Sequence, residues 1–176
     1  MTGWARLLSL IALLAVVTAA ALMFWLKPVE PVPEGGLASV SRIVVEKSAR
    51  RMTVYDGTVA QRSYPIALGF SPEGDKLREG DGRTPEGLFR IDRKNPGSAF
   101  TLSLGLDYPQ AEDRARAKAG GYDPGGDIII HGQPNAMPDE AQIMGDWTAG
   151  CIAVSNAAIR EIFAATELGT VVEVRP

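Results

Sequence analysis

The chain has 176 residues, of which 45% are hydrophobic and 22% charged, with a net charge of −3. That composition supports one globular domain with a sizeable core and excludes a disordered chain. An acidic balance without a basic run argues against a nucleic-acid surface, which needs a cationic face to neutralise phosphates.

From Leu7 to Leu26 no residue carries a charge, and a helix of that length crosses about 30 Å of hydrocarbon. Trp4 and Trp25 stand near its ends, where indoles favour the interface, and Arg6 ahead of it favours a cytoplasmic start. Residues 1–26 are therefore expected to form a transmembrane anchor. A cleavable signal sequence, with Thr18-Ala19-Ala20-Ala21 as its small-residue site, is the alternative. Either one exports the rest of the chain. Residues 27–38, with Pro28, Pro31 and Pro33 followed by Gly35-Gly36, read as an extended linker, which leaves 39–176 as the folded domain.

The domain opens with β-branched, apolar runs at Arg42–Glu46 and Met52–Asp56, and Asp56-Gly57 predicts a hairpin into a third strand over Thr58–Leu68. Alternation along the first two runs predicts half-buried strands, and Lys47–Arg51 reads as a solvated basic turn between them. Gly69–Glu86, rich in glycine, proline and charge, is too long for an ordinary hairpin loop and is a candidate for function. Leu88–Asp92 and Phe100–Leu106 predict strands, Gln110–Lys118 a short solvated helix, and Asp127–His131 a buried strand. Gln133–Trp147 is expected to wall the cleft. Ser155 is placed to cap a helix from Asn156 to about Glu167, with Gly169 as its stop and Thr170–Val174 as the last strand. Many short strands with two short helices predict a mainly β, sandwich-like domain with α additions, preceded by one N-terminal transmembrane helix.

His131 and Cys151 are the sole histidine and the sole cysteine, and each sits at a junction of an apolar run with a glycine. Ile128-Ile129-Ile130 leads to His131-Gly132, and Thr148-Ala149-Gly150 leads to Cys151 and Ile152-Ala153-Val154. A strand end presents its side chain, and a glycine lets substrate approach the backbone. A thiol of pKa about 8.5 is only a few per cent ionised at neutral pH, so a nucleophilic cysteine needs a base beside it. Outside the cytosol a single cysteine cannot form an internal disulfide, so Cys151 is either an inert buried residue or a free thiol kept for chemistry. On the catalytic reading Cys151 attacks an amide carbonyl, His131 takes and returns the proton, and backbone N–H groups at Gly150 and Cys151 hold the oxyanion. This reading carries the expectation of a depressed Cys151 pKa. One His and one Cys cannot supply the three or four ligands of a zinc site, and no cofactor is called for. Asp139, Glu140 and Asp146 have no spacing that specifies carboxylate catalysis.

His131-Gly132 followed by Trp147-Thr148-Ala149-Gly150-Cys151-Ile152, with Gly82-Arg83-Thr84-Pro85-Glu86-Gly87 upstream, resembles the L,D-transpeptidase catalytic domain (YkuD) family. The span from about Ser41 to Pro176 is most similar to its YafK-like branch. Ala149 and Ala153 depart from the family, many of whose members carry His and Asn or Arg there. The resemblance implies the same β architecture and a backbone carbonyl at Gly132 that orients the imidazole. It also sets Arg83, Trp147 and Thr148 beside the active site as substrate-binding candidates, with Arg83 suited to a carboxylate because guanidinium pairs with one bidentately. The implied substrate is a peptidoglycan stem peptide, and the implied place is the periplasmic or wall side of the cytoplasmic membrane, anchored, or secreted after cleavage. Transpeptidation shares its first half-reaction with hydrolysis, which would release a peptide or a wall-linked lipoprotein. A membrane-tethered wall-binding module with an inert Cys151 is the reading from another class.

Overall fold

The computed structural model describes residues 35–176; the expected anchor, and the linker as far as residue 34, lie outside the described residues. Three β-branched stretches form an antiparallel meander, β1 (Val40–Glu46), β2 (Arg51–Asp56) and β3 (Val59–Pro65). Gly57, at φ 57°, makes the Asp-Gly turn that an L side chain resists. The predicted half-burial does not hold. Ile43, Val44 and Val45 are all buried, as are Met52, Thr53 and Val54, because both faces of this part of the sheet are covered.

Five more strands complete one sheet: β4 (Gly87–Asn95), β5 (Ser103–Leu106), β6 (Ile129–His131), β7 (Ile152–Ala153) and β8 (Thr166–Arg175). The strand order is β3-β2-β1-β8-β4-β5-β6-β7, with β8 inserted parallel to β1 and antiparallel to β4. The two ends of that order meet. Ala67, just past β3, and Ala153 in β7 exchange hydrogen bonds of 2.9 and 2.8 Å. The expected sandwich therefore takes the form of a single sheet curled around its core, with a register break in β4 between Ile91 and Arg93. Ile43, Met52, Leu68, Leu104, Ile130 and Ile152 are fully enclosed in that core. Each such side chain contributes about 1.5–3 kcal/mol relative to exposure.

Two helices decorate the sheet. The first, α1 (Ala111–Gly120), buries only Ala117, consistent with its charged sequence, and stops at Gly121 in the left-handed region. The second, α2 (Asn156–Ala165), starts where Ser155 Oγ accepts the Ala158 N–H at 3.2 Å, and it docks Ala158, Ile159 and Ile162 on the core. Gly169 is not its stop. The helix ends at Ala165, because Thr166 already pairs with Val40 in the sheet. Gly169, at φ 85°, instead lies where the β1–β8 register shifts. Sheet pairing takes the residues that helical propensity left undecided.

Candidate active site

The adjacency of β6 and β7 creates the site. These strands run parallel, with Ile130 opposite Ile152 and His131 opposite Ala153, so Cys151 stands opposite Ile129. Ile130 and Ile152 point into the core, and strand alternation turns Ile129, His131 and Cys151 to the other face. Cys151, the residue before β7, and His131, the last of β6, thus stand two register positions apart on neighbouring strands.

The His131 ring is 2% exposed and is held from three sides. Its Nδ1 lies 2.6 Å from the Gly132 carbonyl oxygen, which can only accept, so Nδ1 carries the proton and Nε2 is left as the base. Phe100 packs at 4.7 Å between ring centroids, and Trp147 meets the ring edge-on at 5.7 Å. Burial drives the imidazole pKa below its ordinary value, opposed by the hydrogen bond to Gly132. This contact is with the carbonyl that the family resemblance singled out, the one at Gly132.

Gly132 is itself clamped. Its N–H donates to the Phe100 carbonyl at 3.0 Å, and a Cβ there would stand 2.6 Å from Asn156 Oδ1 and 2.8 Å from Ile159. Asn156 Oδ1 accepts the Gln133 N–H (2.8 Å) and the Thr101 hydroxyl (2.7 Å), while buried Gln133 donates to the Val154 carbonyl at 2.7 Å. Sequence reading missed Phe100, Gln133 and Asn156. Only the polarity of Gln133 and Asn156 beside apolar strands signalled them.

The Cys151 thiol is partly exposed and donates to the Asp127 carbonyl at 3.4 Å, not to the imidazole. Burial raises its pKa, against the expected depression; the Ile129 N–H and the charges of Lys76 and Arg93 pull the other way, while Asp127 adds to the rise. Burial thus disfavours the charged form of both groups.

Thr148 is buried, and its hydroxyl bonds in both directions: Oγ1 accepts the Gly150 N–H at 3.1 Å and donates to the Cys151 carbonyl at 2.7 Å. Thr148 braces the turn that carries Cys151. The same bond occupies the Gly150 N–H that sequence analysis assigned to the oxyanion. The N–H of Cys151 takes part in no loop backbone bond. Gly150 has φ 138°, and a Cβ there would stand 2.6 Å from the Arg83 carbonyl, so only glycine fits.

Arg83 accordingly abuts the turn through its backbone. Its guanidinium reaches away, donating to the Asp75 carbonyl at 3.2 Å. The long loop that carries it is not held by a solvated turn. Lys47, 2% exposed, donates to the Gly74 and Thr84 carbonyls and to Glu86 at 2.7–2.9 Å. Apolar neighbours in β1 draw Lys47 inward, and the loop's carbonyls receive its charge. Asp146 is likewise structural, binding the Arg50 guanidinium through both oxygens and accepting the Leu68 N–H at 2.9 Å. Asp139 pairs with Arg160 at the surface. Among the described residues no group of three or more His, Cys, Asp or Glu is placed to hold a metal.

A curled β sheet that presents a thiol and an imidazole from adjacent parallel strands defines a class of domains built around a candidate cysteine–histidine site. Within that class, the chain belongs to the YkuD family, the L,D-transpeptidase catalytic domain, whose model matches residues 40–174. The protein of Escherichia coli (strain K12) named "Putative L,D-transpeptidase YafK" is 31% identical over 103 residues, 57% of this chain and 35% of that protein. The chain thus spans about a third of the curated relative's length. Among solved structures, the helical cell shape determining protein Pgp2 of Campylobacter jejuni is similar, with a TM-score of 0.61 and 27% identity over 86% of this chain and 54% of that one. Bd1075 of Bdellovibrio bacteriovorus, with a TM-score of 0.53 and 23% identity, covers 80% of this chain and 52% of its own and shares the fold.

Proposed function

We propose that the domain is a cysteine acyl transferase acting on peptidoglycan stem peptides. The observation that carries this is the placement of Cys151 and His131 on one face of paired strands, with the Nδ1 proton of His131 committed to Gly132. As substrate enters, the thiol leaves the Asp127 carbonyl, Sγ attacks an amide carbonyl, and its proton passes to His131 Nε2. The C–N bond breaks as that proton goes to the leaving amine, and a Cys151 thioester remains. A second amine then takes the acyl group in transpeptidation, or water takes it in hydrolysis. The Cys151 N–H is the oxyanion donor in this reading, because Thr148 holds that of Gly150. Trp147 walls the cleft beside the imidazole and contacts the substrate. The uncharged stretch 7–26 supports a domain tethered to, or released from, the outer side of the cytoplasmic membrane. A wall-linked lipoprotein is a further substrate of the hydrolytic branch.

Mass spectrometry of the protein incubated with defined stem-peptide muropeptides, with and without an amine acceptor, tests this. A transfer product establishes the transpeptidase, and cleavage alone the hydrolase. Cys151→Ser should abolish both products with the fold intact. Undiminished turnover in that variant, or wild-type protein with neither product nor a Cys151 adduct, sinks the proposal and leaves a wall-binding module.

A further inference from the structure

The long loop over residues 71–83 and Tyr122 enclose a cleft of about 310 Å³, lined by Ser71, Leu77, Arg78, Asp81, Arg83 and Tyr122. Its position follows from the backbone. The Arg83 carbonyl packs on Gly150, and the neighbouring Phe70 N–H donates to the Thr148 carbonyl at 2.9 Å, so the loop that lines the cleft also borders the turn leading to Cys151.

The charge in the cleft is unbalanced. Asp81 is spent internally: its carboxylate accepts Lys76 Nζ and the N–H groups of Leu77, Arg78 and Arg83 at 2.8–3.0 Å. Burial opposes its ionisation, yet these donors bring its pKa down to about 2, so it stays an anion paired with Lys76. Arg83 spends one guanidinium N–H on the Asp75 carbonyl. Arg78 enters no ion pair among the described residues. Two arginines, with Ser71 and Tyr122, therefore line a cleft whose one lining carboxylate, Asp81, is already paired with Lys76.

We infer that this cleft is a binding subsite for a carboxylate of the peptide substrate, read by Arg83 and Arg78 together. The inference rests on the proposed function, and it assigns the loop a task in choosing substrate separate from the chemistry at Cys151. Guanidinium pairs with a planar carboxylate in two parallel bonds, and a carboxamide offers neither the charge nor two acceptors. A stem peptide brings such a group from two sources, its C-terminus and the side-chain carboxylate of its diamino acid.

Calorimetric titration of the full chain carrying Cys151→Ala separates binding from turnover. The probes are one synthetic stem tetrapeptide with both carboxylates free, the same peptide amidated at its C-terminus, and the same peptide amidated at the diamino-acid side chain. One of the two amides should bind about 10- to 100-fold more weakly than the free acid. Added salt should shrink that difference. Arg83→Gln and Arg78→Gln should each bring the ratio toward one. Arg78 is exposed, so its variant keeps the test open if Arg83→Gln fails to fold. Equal affinity for all three peptides, or an unchanged ratio in both variants, overturns the subsite. Discrimination in binding without turnover by the wild type supports the subsite while refuting the acyl-transfer reading.

Discussion

At the scale of single residues, one physical effect acts on both candidate groups of the site. Burial disfavours charge, so it lowers the His131 pKa and raises that of Cys151. A base whose pKa lies below the usual 6.5 stays neutral to lower pH, so the acid limb of kcat/KM is expected below pH 6.5. A pH–rate profile with its acid limb above that value would contradict the burial argument. Resting Cys151 is likewise expected to alkylate more slowly at pH 7 than a model thiol, measured with iodoacetamide on the free protein. Thr148 acts through its neighbours. Thr148→Val removes one bond to the Gly150 N–H and one to the Cys151 carbonyl, at a cost of about 1–3 kcal/mol. It should lower kcat more than it changes KM, while Thr148→Ser restores activity; steady-state kinetics of the two variants decide the matter.

At the scale of elements, α2 serves the site from behind. Its capped first turn carries Asn156, whose side chain fixes Gln133 and Thr101 and so the chain just past His131. Ser155→Ala removes the cap acceptor and should cost about 1 kcal/mol. For a domain of this size that lowers the melting temperature by about 3 °C, readable by calorimetry. The elements also mark where sequence reading succeeds. The meander, the Asp-Gly turn, the capped start of α2 and the strand ending on His131 were legible, because each depends on residues a few positions apart. The end of α2 at Ala165 and the bulge at Gly169 were not, because Thr166 is claimed by Val40, more than a hundred residues earlier.

At the scale of the whole molecule, the sheet closes through Ala67 and Ala153, and the loop over residues 69–87 is drawn against the nucleophile's turn by Lys47. Lys47→Met should cost about 2–3 kcal/mol, because two carbonyls and Glu86 lose a shared donor. Hydrogen exchange should show the loss of protection concentrated in residues 69–87; a uniform loss would mean that Lys47 supports the core and not the loop. The candidate pair Cys151 and His131, the glycines beside them and the family motif were all legible in the sequence alone, because they are properties of residue type and short spacing. Tertiary structure alone decided which strands lie side by side, that the Gly150 N–H is spent on Thr148, that Lys47 is buried, and that burial pushes the Cys151 thiol pKa up. Each of those depends on desolvation and on partners distant in the chain, and a local pattern of side chains carries neither.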